Sequence, residues 1–150
     1  MGSGKAFEEG QSFAPFVYFI MLIGVAAMCL PPHHWPIILL PIGAMLLTTN
    51  LLYERTEVSG DGVRVQFGFV FPLYVRSIRL DDIDTVVAVT YRPIAEYGGW
   101  GIRGMGGRVA LNARGDRGVL LTLRRGGTVL VGSQRPEELA TAINEVRAVS

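Results

Sequence analysis

The sequence predicts a membrane α-helical hairpin carrying one α+β domain, an antiparallel barrel of five to seven strands capped by a C-terminal helix. Three observations predict it. Two apolar stretches without a charged side chain, residues 13–30 and 36–53, lie near the N-terminus and are 18 residues each. Past Tyr53 the hydrophobic period becomes two, the period of a strand with one buried face. From Pro136 onward Leu139, Ile143 and Val146 recur at helical spacing. The division expected is a flexible tail over 1–12, a two-helix hairpin over 13–54 and one domain over 55–150.

Residues 1–12 open Met-Gly-Ser-Gly, but Ala6 stands where an N-myristoylation signal needs Ser or Thr. At about 1.5 Å per residue an 18-residue helix reaches roughly 27 Å, close to the roughly 30 Å of a hydrocarbon core. The link between the stretches, Pro31, Pro32, His33, His34 and Trp35, is too short for a further element, so the two helices are expected as antiparallel neighbours. Tyr18, Trp35 and Tyr53 suit the headgroup region, and Pro41 can kink the second helix. Gly24, Ala26, Ala27, Gly43 and Ala44 would let neighbouring helices approach closely. A cleaved signal is the weaker reading, because Lys5 is followed by Glu8 and Glu9, and Met28 is too large to precede a lipoprotein Cys29. The link carries no Lys or Arg, whereas Arg55, Arg64, Arg76 and Arg79 follow the second stretch. The positive-inside rule then expects a two-pass membrane protein with both termini cytoplasmic.

The remaining segments follow in order. Residues 56–59 and 63–69 flank Gly60-Asp61-Gly62 as a hairpin, and residues 73–80 form the next strand after Phe71-Pro72. Residues 85–91 are continuously β-branched and aromatic, which predicts a strand covered on both faces. Asp81, Asp82 and Asp84 read as a solvated turn, since they lack the loop spacing of an oxygen-ligated cation site. Strands are expected over 108–112, 118–123 and 128–132, the last two joined at Arg125-Gly126-Gly127. Pro136, Glu137 and Glu138 then mark a helix start.

Composition narrows the chemistry. From Arg55 onward there are thirteen arginines and ten acids, and Lys5 is the sole lysine. Cys29 is the single cysteine and the histidines are His33 and His34, so the domain holds no nucleophile with a histidine base and no metal-ligand spacing. No catalytic residue, cofactor, metal, nucleic acid or small-molecule substrate is expected. Residues 98–107 contain six glycines, and Gly99, Gly101 and Gly104 satisfy G-x-G-x-x-G, but no helix follows to receive a pyrophosphate.

Two readings of that loop stand. It can be a crossing at the barrel mouth with Trp100 and Ile102 folded back as a plug. Alternatively Trp100, Arg103 and Arg108, with Arg114 and Arg117, form a binding rim whose guanidinium groups fork onto phosphate or carboxylate.

The runs Tyr91-Arg92-Pro93, Glu96-Tyr97-Gly98-Gly99-Trp100-Gly101-Ile102-Arg103 and Gly132-Ser133-Gln134-Arg135-Pro136-Glu137-Glu138-Leu139 carry a resemblance. Taken over residues 13–150, the chain resembles small bacterial membrane proteins with two transmembrane helices and a pleckstrin-homology-type domain. That resemblance implies a fold, a location in the bacterial inner membrane and a binding role without assigned chemistry. Two functions are therefore expected as alternatives. One is a non-enzymatic, membrane-anchored module that engages a protein or anionic lipid through the loop of residues 98–108. The other is an accessory or assembly subunit of a larger membrane complex, held by helix packing, with other membrane proteins or itself as partner.

Overall fold

The computed structural model describes residues 5–13, 15–28, 43, 46 and 53–149. The first sheet is antiparallel and contains β1 (Phe7–Ser12), β2 (Tyr53–Ser59), β3 (Gly62–Phe67) and β4 (Tyr74–Ile78) in chain order. The second contains β5 (Ile83–Thr90), β6 (Gly101–Met105), β7 (Arg108–Asn112), β8 (Arg117–Leu123) and β9 (Thr128–Gly132), in the order β5-β8-β9-β7-β6. Its β7–β9 pair is parallel; the others are antiparallel. The chain also forms α1 (Pro15–Met28), the short α2 (Pro93–Tyr97) and α3 (Pro136–Val149), and a 3-10 turn (Leu80–Asp82) joins the sheets.

Alternation explains the layers. Val58, Val63, Val65 and Phe67 from the first sheet meet Leu111, Val119, Leu121, Val129 and Val131 from the second in one core. Helix α3 closes it with Leu139, Ala142 and Ile143, as its spacing predicts. On the outer face of the second sheet Ala110 and Leu130 are also buried, under Tyr91 and Tyr97. Strands β7 and β9 are thus apolar at successive positions because both of their faces are covered.

Several expectations are corrected. Among the described residues nine strands in two sheets, one pair of them parallel, replace the all-antiparallel barrel of five to seven strands. No helix among the described residues is long and apolar enough to cross a membrane. Helix α1 has 14 residues, which at about 1.5 Å each rise only about 21 Å. The second expected span lies outside the described residues apart from Gly43, Leu46 and Tyr53, and Tyr53 begins a strand. The transmembrane hairpin and the two-pass inner-membrane placement that rested on it are therefore withdrawn. Charge-free apolarity sets a ceiling on helix length but not the helix ends.

The flexible tail is also corrected over residues 7–12. Strand β1 pairs with β2 from Phe7↔Val58 to Ser12↔Tyr53, so Ser12 and Tyr53, far apart in sequence, are neighbours at one end of the sheet. Three inward side chains, Phe7, Glu9 and Gln11, are buried, and two of them tie β1 to the second sheet's end. Gln11 Nε2 donates to the Gly132 carbonyl at 3.0 Å, while Glu9 accepts from the Ser133 hydroxyl and, at 3.0 Å, from the Gln134 N–H. The strand expected to be covered on both faces, 85–91, is instead largely the edge strand β5, where Val87 is 49% exposed.

Candidate functional site

A cleft of about 730 Å³ opens between α2 and the β6–β7 hairpin, lined on one side by Ile94, Glu96 and Tyr97 and on the other by Arg103, Gly104 and Arg108. Helix α2 is five residues long and held by its ends. Pro93 occupies the first turn, the Glu96 carboxylate accepts from the Arg92 N–H at 2.9 Å, and Gly98 at φ 75° stops the helix in a left-handed cap. The Gly98 and Gly99 N–H groups donate back to the carbonyls of Ile94 and Pro93. These bonds turn Ile94 outward, where it is 69% exposed, and lay Tyr97 edge-on to Tyr91 with ring centroids 5.9 Å apart.

The hairpin supplies the charge. Arg103 pairs with Ala110 and Met105 with Arg108 across the ladder, so by the period of two Arg103 and Arg108 share a face. The Arg108 guanidinium sits 5.6 Å from the Tyr97 ring centroid, and Arg103 Nε donates to the Trp100 carbonyl at 3.1 Å. Neither has a carboxylate partner among the described residues, whereas Arg55, Arg79, Arg117, Arg125 and Arg135 each do. Glu96 lines the same cleft with one of its oxygens engaged at the Arg92 N–H.

The other expected site residues lie elsewhere. Trp100 donates its indole N–H to the Gly115 carbonyl at 2.8 Å, fastening the start of β6 to the β7–β8 turn. Arg117 pairs with Glu137 on α3 at 2.6 Å, and the exposed Arg114 offers its carbonyl to Gln134. The five-residue rim thus resolves into one pair in the cleft, Arg103 and Arg108, and three residues outside it. Most of the expected loop is ordered, since residues 101–105 are strand β6 and pair with β7. Ile94 and Tyr97 escape a reading by periodicity because one helical turn has none; Pro93 ahead of Glu96, Gly98 and Gly99 was the available signal.

Of the residues proposed for helix packing, Gly24 and Gly43 have open space where a side chain would project, and Ala26 is exposed. Ala27 lies in α1, and Ala44 lies outside the described residues, as do His33, His34 and Cys29. Among the described residues no group of three or more His, Cys, Asp or Glu could hold a metal ion.

One buried acid stands apart from the cleft. Glu54 is fully buried beside Gln11 in the β1–β2 ladder, and neither carboxyl oxygen has a hydrogen-bond partner of ordinary geometry. Burial pushes its carboxyl well above the usual range, Glu9 adds to that rise, and the opposing pull of the Ala113 backbone is smaller than the burial effect. Tyr91 is raised to about 12, chiefly by burial, while its hydroxyl accepts from Asn112 Nδ2 at 2.6 Å.

No family model matches the chain, and no curated protein matches it significantly.

Proposed function

We propose that the chain is a non-enzymatic binding module that takes a protein segment bearing a carboxylate beside an apolar side chain into the cleft between α2 and the β6–β7 hairpin. One observation carries this reading. Arg103 and Arg108, without carboxylate partners among the described residues, face a cleft whose opposite wall presents the exposed Ile94. A guanidinium is a planar fork that matches a carboxylate, and its hydrogen bonds to a charged group are roughly twice as strong as neutral ones. Ile94 and the Tyr97 ring supply the apolar contact that fixes orientation. The cleft is open, which suits a peptide segment better than an enclosed metabolite.

The test is selection of random heptapeptides displayed on phage against the full chain. Enrichment of sequences with Asp or Glu next to an apolar residue is expected, and Arg103→Glu with Arg108→Glu should abolish it while the circular dichroism stays unchanged. Peptides that bind the doubly reversed chain as well as the parent would refute the reading.

A further inference from the structure

Strand β6 stands at an edge of the second sheet, where β7 pairs with it on one side. Among the described residues no strand pairs with its other side. An open edge presents a row of backbone N–H and C=O groups to which another extended chain can add.

The hairpin turn fixes which groups those are. Gly106 (φ 58°) and Gly107 (φ 84°) make a two-residue turn closed by the pair Met105↔Arg108. A closing pair of this kind exchanges both of its backbone hydrogen bonds, and hydrogen-bonded pairs alternate with non-bonded ones along an antiparallel ladder. Met105, Arg103 and Gly101 therefore aim their backbone groups toward β7, and the Gly101 N–H accordingly reaches Asn112 Oδ1 at 3.0 Å. Ile102 and Gly104 aim theirs outward. Both residues are exposed, Ile102 at 39%.

Charge says what fits this edge. Arg103 stands between Ile102 and Gly104 and lines the cleft; its Nε donates to the Trp100 carbonyl, and no carboxylate among the described residues meets its guanidinium. In a strand added antiparallel to β6, the residue opposite Arg103 makes a non-hydrogen-bonded pair with it. That arrangement brings side chains closest, with Cα atoms about 4.5 Å apart. An Asp or Glu there meets the Arg103 guanidinium on the face that Arg108 shares. A second copy of the chain fits worse, because β6 added to β6 about Arg103 sets one arginine opposite another, and like charges so placed repel. The sheet's other edge, β5, carries Asp84 and no arginine, so charge singles out β6 for an acidic strand.

We propose, resting on the reading of the cleft as a site for an acidic segment, that this segment binds as an extended strand added antiparallel to β6. Its acid lies opposite Arg103, and the residues on either side of the acid exchange backbone hydrogen bonds with Ile102 and Gly104.

The test takes one heptapeptide enriched in the phage selection, synthesised with a single backbone N-methyl group at each position in turn, and titrates each form against the full chain. Methylating either neighbour of the acid removes a donor to β6 and should weaken binding at least about tenfold, whereas methylating the acid itself, whose N–H points away from β6, should cost less than about twofold. In the protein, Gly104→Pro deletes an outward N–H and leaves the ladder to β7 intact. It should bind the unmethylated peptide at least about fivefold more weakly than Gly104→Ala, which also adds a Cβ but keeps that N–H. A methylation scan without this alternation, for a peptide that the Arg103→Glu/Arg108→Glu chain fails to bind, would overturn strand addition and leave the cleft reading standing. A selection that enriches no acidic peptide would overturn both. A parent chain that sediments as a dimer, and that Gly104→Pro returns to a monomer, would also overturn strand addition, since a second copy would then hold the edge.

Discussion

The Arg108 guanidinium lies over the Tyr97 ring, 5.6 Å from its centroid, and this contact joins the first residue of β7 to the last residue of α2. It spans the cleft's two walls and holds a cation at the entrance without neutralising it. A carboxylate partner would have fixed the side chain equally well and removed its charge from use.

Tyr97→Leu tests that positioning. The substitution keeps apolar volume under Arg108 and removes the ring face, whose attraction for an exposed cation is about 0.5–1 kcal/mol. Affinity for a selected acidic peptide should fall about two- to fivefold by isothermal titration calorimetry, with the thermal midpoint changed little. An unchanged affinity would mean that the ring does not position the arginine.

Glu54 makes stability depend on pH in a definite direction. Its folded carboxyl is raised above 4.5, so the folded state binds its proton more tightly than the unfolded chain does. The contribution is fully present below pH 4.5 and is lost as pH rises toward the folded value. Glu54→Gln keeps the shape and removes the titration. Urea unfolding should show the variant gaining on the parent as pH increases, reaching about 1–3 kcal/mol, the scale of an unsatisfied buried polar group. A difference that stays constant between pH 4 and pH 8 would contradict this assignment.

Phe7→Ala tests whether β1 belongs to the domain. Phe7 is 8% exposed, packs in the main core, and has the Arg135 guanidinium 4.9 Å from its ring centroid. Truncating a buried Phe costs about 3–5 kcal/mol, and the lower end is expected at this edge strand. A loss under about 1 kcal/mol would return residues 7–12 to the status of a tail.

Strands β3, β8 and β9 and helix α3 were legible because alternation, turn glycines and a marked helix start agree there. Strand β1 was not, because Glu9 and Gln11 face inward and are satisfied only by Ser133, Gln134 and Gly132, more than a hundred residues away. No local pattern reports such partners. The apolar run of residues 13–53 was over-read for a related reason: continuous apolarity does not locate the ends of α1, and the return of the chain into β2 at Tyr53 is a pairing with β1. In the site, the glycines drew attention to Arg103 and Arg108. Arg117 looked equivalent by sequence, yet its partner is Glu137 on α3.

The proposed binding of an acidic peptide rests on Arg103 and Arg108 rather than on the domain's general positive charge. It is tested most directly by titration calorimetry of one selected peptide against the parent, the Arg103→Glu/Arg108→Glu chain, and a chain with Arg114→Glu and Arg124→Glu. Both variants change the net charge equally, and Arg114 and Arg124 are exposed and outside the cleft. At least a tenfold loss of affinity, about 1.4 kcal/mol, is expected for the cleft variant and less than twofold for the other. Equal losses in the two would contradict a site at the cleft.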